Sequence, residues 1–221
     1  MPLSIARHIV VAMGALSALL ALLAVFDQAW EVVYAWLGVG LAMECAEGSI
    51  SATEPELVPP SVPPIALVAF LNSVFVPVVV LVHAGFLAGE FGVAMAILAV
   101  WSAQYRLTFH DWAGMPANFL GFPAAWSTVA FYIHAFDATP PAAVLSVGLA
   151  IIAALVPVRW PHPLRSERWP DLTRAVLLIW FATAALTLWH KFPALPPAKA
   201  VFLFAAAYAA LLVAMAARVR A

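Results

Sequence analysis

Apolar runs long enough to cross a bilayer recur along this chain from its first turn to its last. A hydrocarbon core needs about 20 apolar helical residues, and eight stretches approach or meet that length, at roughly 8–26, 29–47, 65–87, 91–109, 123–138, 141–158, 172–190 and 198–217. The fifth and sixth are the shortest, because Thr139-Pro140-Pro141 leaves only a tight turn between them. None has the polar face of a helix on a soluble core. Residues are 66% hydrophobic and 10% charged, and mean hydropathy is +1.01. No soluble domain of 221 residues hides so much apolar surface. The expectation is an all-α, polytopic membrane bundle of about eight helices, forming one transmembrane domain over residues 1–221.

Charge sets the orientation. An even number of spans puts both termini on one side. If that side is the cytoplasm, Arg7, Arg106, Arg159, Arg165, Arg168, Arg174, Arg218 and Arg220 are inside. Of the 10 basic residues only Lys191 and Lys199 then lie outside, in accord with the positive-inside rule. The expected location is a bacterial inner membrane with both termini cytoplasmic. The first run flows into Asp27-Gln28 without a small-residue cleavage site, and reads as a retained helix rather than a signal peptide. Tryptophans near span ends, among them Trp30, Trp112, Trp160, Trp169 and Trp189, suit the interface. A net charge of −1 excludes nucleic acid as a partner. The lone Cys45 excludes an intrachain disulfide, and a small apolar filler is its expected role. Residues 53–64 hold five prolines, and no helix continues through Pro59-Pro60 or Pro63-Pro64, so a stiff cytoplasmic loop is expected there.

Glu44, Glu47 and Gly48 stand at the inner end of the second run. Laid on them without a gap, the chain resembles the CDP-alcohol phosphatidyltransferase signature, Asp-x-x-Asp-Gly-x-x-Ala-Arg, eight residues, then Gly-x-x-x-Asp-x-x-x-Asp. The leading aspartates fall on Glu44 and Glu47 and the glycine on Gly48. The Ala-Arg pair falls on Ser51 and Ala52, the second glycine on Ser61, and the last aspartates on Ile65 and Ala69. Downstream, Phe119-Leu120-Gly121-Phe122-Pro123-Ala124-Ala125-Trp126 resembles the F-x-G-F-P-x-x-W-N of bacterial phosphatidylcholine synthases, with Ser127 in place of Asn. Pro157 to Arg165, with its His162-Pro163-Leu164-Arg165, resembles their His-Pro-x-Arg loop, and Pro77 matches a family proline.

The resemblance implies a membrane enzyme joining CDP-diacylglycerol to choline, with two divalent metals, manganese or magnesium, held by four aspartates on facing helices. Hard cations need oxygen ligands, which Ile65 and Ala69 cannot supply. Glu44 and Glu47, at i and i+3, share a helix face and remain candidate ligands for one ion. The plainer account is that they mark the water-exposed end of a membrane helix.

Three functions stay open on these grounds. The favoured one is a catalytically degenerate, phosphatidylcholine synthase-like protein without catalytic residues, metal or cofactor, acting as a lipid-binding or accessory subunit. It would associate with other membrane subunits or a second copy, and with anionic phospholipid, whose phosphate His162, Arg165 and Arg168 would hold. The second is an active phosphatidylcholine synthase with an altered metal site. The third is a haem- or pigment-bearing subunit using His83, His134 and His190, which fall near the outer ends of their spans. Asp111 offers a spare carboxylate, more simply read as a solvated loop residue.

Overall fold

The computed structural model describes residues 3–53, 64–108, 123–155 and 170–218. Everything described is helix or short connection. We label the helical rods α1 (Leu3–Phe26), α2 (Trp30–Thr53), α3, α4 (Gly89–Thr108), α5 (Pro123–Phe136), α6 (Pro140–Leu155), α7 (Pro170–His190) and α8 (Pro196–Arg218). Rod α3 comprises Pro64–Phe70, one π turn at Leu71–Phe75, and Val76–His83. Each rod overlaps its expected span. The main difference is at α2, which continues past Glu47 to Thr53.

Successive rods alternate in direction, so the ends near Phe26, Trp30, His83, Phe136, His190 and Pro196 gather at one end of the bundle. Contacts there bear this out. Phe26 and Trp30 lie edge-on to His83, the Ala194 amide donates to the Ala135 carbonyl at 2.9 Å, and Lys199 sits over the Phe136 ring. The α1–α2 hairpin is the most extensive pairing, and α5 packs against α2, α3, α6 and α8. Tyr132 ties three rods together: Trp180 Nε1 donates to its hydroxyl at 3.1 Å, which donates to the Phe202 carbonyl at 2.8 Å.

Small residues fill much of the core, with Ala21, Ala99, Ala103, Ala130 and Ala143 fully buried. Without a hydrophobic force between helices in lipid, close approach of small residues does this work. Trp126, Phe202, Leu81 and Leu87 are buried with them, while many other large apolar side chains point outward, among them Phe91, Leu149, Leu178 and Phe204. Apolar surface exposed on that scale suits a bundle whose solvent is hydrocarbon. Ile5–Phe26 and Asp171–His190 meet both the length and the hydropathy of a spanning helix among the described residues.

Candidate functional site

The site at the end of the bundle away from His83 and His134 is assembled from α1, α2, α3 and α5. Gly14 and Gly40 let α1, α2 and α3 approach closely: a Cβ on Gly40 would lie 2.6 Å from Asn72 Cγ and Oδ1, and one on Gly14 would lie 2.8 Å from Val68 Cγ1. The π turn then presents Asn72 and Ser73 inward on successive positions, both buried. Asn72 Nδ2 donates to the Gly14 carbonyl at 2.9 Å and to the Val68 carbonyl at 3.2 Å. Ser17 Oγ donates to the Gly14 carbonyl at 2.7 Å and lies 3.2 Å from Asn72 Oδ1. Ser127 Oγ, from α5, donates to the Asn72 carbonyl at 3.0 Å. A π turn disturbs the regular backbone ladder, and the Ser127 hydroxyl satisfies a carbonyl there.

Next to this knot lie the carboxylates. Ser73 Oγ reaches Glu44 Oε1 and Oε2 at 3.2 and 3.4 Å. Glu47 Oε1 accepts from Arg7 Nε at 2.9 Å, an ion pair between α1 and α2 whose side chains are 12% and 6% exposed. Glu44 and Glu47 are therefore buried, at 8% and 5%. This corrects the reading of them as markers of a water-exposed helix end. An unpaired buried charge is costly, and Arg7 supplies the counter-charge. Cys45, between them in sequence, faces outward and is exposed, not a core filler.

Among the described residues the donor set is short of the oxygens that a pair of divalent cations needs. Glu47 is engaged by a guanidinium and Glu44 by a hydroxyl. Ala69 is buried hydrocarbon on α3, and Ile65 offers no oxygen either. Among the described residues no three His, Cys, Asp or Glu side chains converge as metal ligands.

The other expected site residues lie elsewhere. His83, His134 and His190 do share the opposite end. His83 and His134 both pack on Trp30, and His134 Nδ1 is 2.9 Å from the Tyr34 hydroxyl, within ring contact of Phe86 and Phe192. His190 instead lines a groove between α7 and α8. Trp30 is partly buried, whereas Trp189 is 84% exposed, as a residue of an interfacial belt would be. Gly48 lies within α2. His162, Arg165, Arg168, Arg159, Asp111 and residues 54–63 lie outside the described residues. The sequence reading passed over Ser17, Asn72 and Ser73. Their signal was available: polar side chains inside apolar spans are costly and therefore meaningful.

Similarity to known proteins follows the same lines. Over 190 residues the chain is 32% identical to a phosphatidylcholine synthase of Bradyrhizobium diazoefficiens, covering 82% of this chain and 69% of that one. The chain belongs to the phosphatidylcholine synthase family. A second family member, from Pseudomonas aeruginosa, is 26% identical over 205 residues, covering 91% and 86% of the two chains. One from Agrobacterium fabrum is 27% identical over 207 residues, covering 90% and 83%. No protein-family model matches the sequence, and no solved structure does. The matches extend over most of the chain, well beyond the stretch around Glu44 on which the wider signature rests.

Proposed function

We propose that this chain is a catalytically degenerate member of the phosphatidylcholine synthase family that serves as a lipid-binding or accessory subunit of a complex in a bacterial inner membrane. One observation carries the reading: the carboxylate pair is closed on itself. Arg7 neutralises Glu47, Ser73 engages Glu44, and the α3 position aligned with the last family aspartate is the buried Ala69. Metal ions in such reactions contribute several kcal/mol of charge stabilisation, and each ~1.4 kcal/mol is tenfold in rate. What remains is an apolar bundle and the basic segment with His162, Arg165 and Arg168, which suits a lipid phosphate.

The rival is an active synthase using Glu44 and Glu47 with manganese or magnesium, and the name shared by the relatives favours it. Purified protein supplied with CDP-diacylglycerol and labelled choline separates the two. No incorporation above a metal-free control is expected. Incorporation abolished by Glu44→Ala and by Glu47→Ala would sink the degenerate reading. Restoring Ile65→Asp, Ala69→Asp and Ala52→Arg together should raise manganese binding, read by electron paramagnetic resonance, above that of the parent chain.

The accessory role is tested by gentle extraction from native membranes. A co-purifying membrane protein is expected, and the outward face of α8, with Ala206 and Ala210 exposed, is the proposed contact. Ala206→Leu with Ala210→Leu should weaken the association. A colourless species running alone counts against it, and intrinsic haem or pigment absorption would favour the histidines instead.

A further inference from the structure

At the end of the bundle opposite Glu44 and Glu47, α7 and α8 diverge around a groove of about 250 Å³. Leu186, Leu195 and Val201 give it an apolar lining. Thr183 and Thr187 also line it, but their hydroxyls are spent on their own helix, donating to the Ile179 and Thr183 carbonyls at 2.7 and 2.9 Å. The groove therefore asks for hydrocarbon and offers water little. Its mouth is different. His190 and Lys191 close α7, with Lys191 at φ 66°, and both are exposed. Among the described residues no acidic side chain lines the groove. Lys199, the other basic residue of this end, is drawn over the Phe136 ring at 5.7 Å.

Depth agrees with this division. Trp189 sets His190 and Lys191 at the interface. Thr183 lies eight residues before Lys191, about 12 Å deeper at 1.5 Å per residue. A cationic mouth over an apolar slot, at that depth, matches a phosphate above an acyl chain. A lysine ammonium binds phosphate as a point charge.

We propose that the groove between α7 and α8 is a binding site for one anionic phospholipid, its chain against Leu186 and Val201 and its phosphate at Lys191 and His190. The site is independent of the carboxylate cluster, and it holds or fails whether or not the chain turns over choline.

The test uses the full chain in nanodiscs containing a trace of phosphatidylglycerol with a photoreactive acyl chain, with cross-links mapped by mass spectrometry. Label is expected on the peptides carrying Leu186 and Val201. Unlabelled phosphatidylglycerol should compete about fivefold better than phosphatidylcholine, the factor expected for roughly one basic residue near an anionic lipid. Lys191→Gln with His190→Gln, both at the surface, should abolish that preference and leave the label in place. Val201→Trp should remove the label, whereas Leu178→Trp, exposed on α7 and away from the groove, should not. Equal competition by the two lipids, or label spread evenly over the lipid-facing helices, would overturn the proposal.

Discussion

Arg7 and Glu47 are the residues on which the carboxylate end of the bundle turns, because neither is stable there alone. Removing one member of a buried ion pair strands the other, at about 3–5 kcal/mol, whereas replacing both with apolar groups is often neutral. Arg7→Leu should therefore destabilise the bundle by about 3 kcal/mol or more, and Arg7→Leu with Glu47→Leu should recover most of that loss. Unfolding in mild detergent measures both. Equal losses in the single and double variants would mean that Arg7 acts through packing rather than charge. The outcome bears on function as well. The contact that holds α1 to α2 is also the one on which the proposed degenerate reading rests. The sequence showed Glu47 on the face it shares with Glu44 but not its partner. Arg7 lies 40 residues away and gave a topology signal equally consistent with a headgroup contact.

At the scale of elements, Gly38 and Gly40 sit on one helix and should respond in opposite ways. Nothing lies within 4 Å of a Cβ on Gly38, so Gly38→Ala gains only helix propensity, up to about 1 kcal/mol. A Cβ on Gly40 would press on Asn72 and come 2.9 Å from Ser17 Oγ. Asn72 cannot swing away cheaply, since its amide is held by two carbonyls. Gly40→Ala should cost about 1–3 kcal/mol, as overpacking does. Comparing the midpoints of the two variants checks this, and equal midpoints would show that α2 shifts to make room. Span positions were legible because apolar length and Pro boundaries are local signals: the turn at Thr139 to Pro141 was placed, and α6 begins at Pro140. The π turn was not. Leu71–Phe75 reads as ordinary apolar helix, and only its tertiary partners, Gly14 and Ser127, explain why it unwinds there. Ser127 drew notice only as a departure from a family motif, while its hydrogen bond to the Asn72 carbonyl depends on where α5 lies.

The whole molecule adds a constraint that no single contact supplies, which is the direction of each rod. The described helices alternate, so the start of α7 and the residue just after its end must face opposite sides if the bundle spans the membrane. Asp171 and Lys191 are both exposed and suit this test. In a Cys45→Ala background, Lys191→Cys should react with a membrane-impermeant maleimide in intact cells, and Asp171→Cys only after lysis. Reaction of both in intact cells would refute a membrane-spanning α7. The reverse pattern would keep the span and invert the topology, against the excess of arginine on the Asp171 side. Orientation then decides which leaflet each proposed site can sample. With Lys191 outside, the α7–α8 groove draws from the outer leaflet, while Arg7, Glu44 and Glu47 face the leaflet where a cytoplasmic nucleotide-activated lipid would arrive. If both proposals hold, the chain meets lipid at each end of the bundle, the groove sampling one leaflet and the carboxylate end the other.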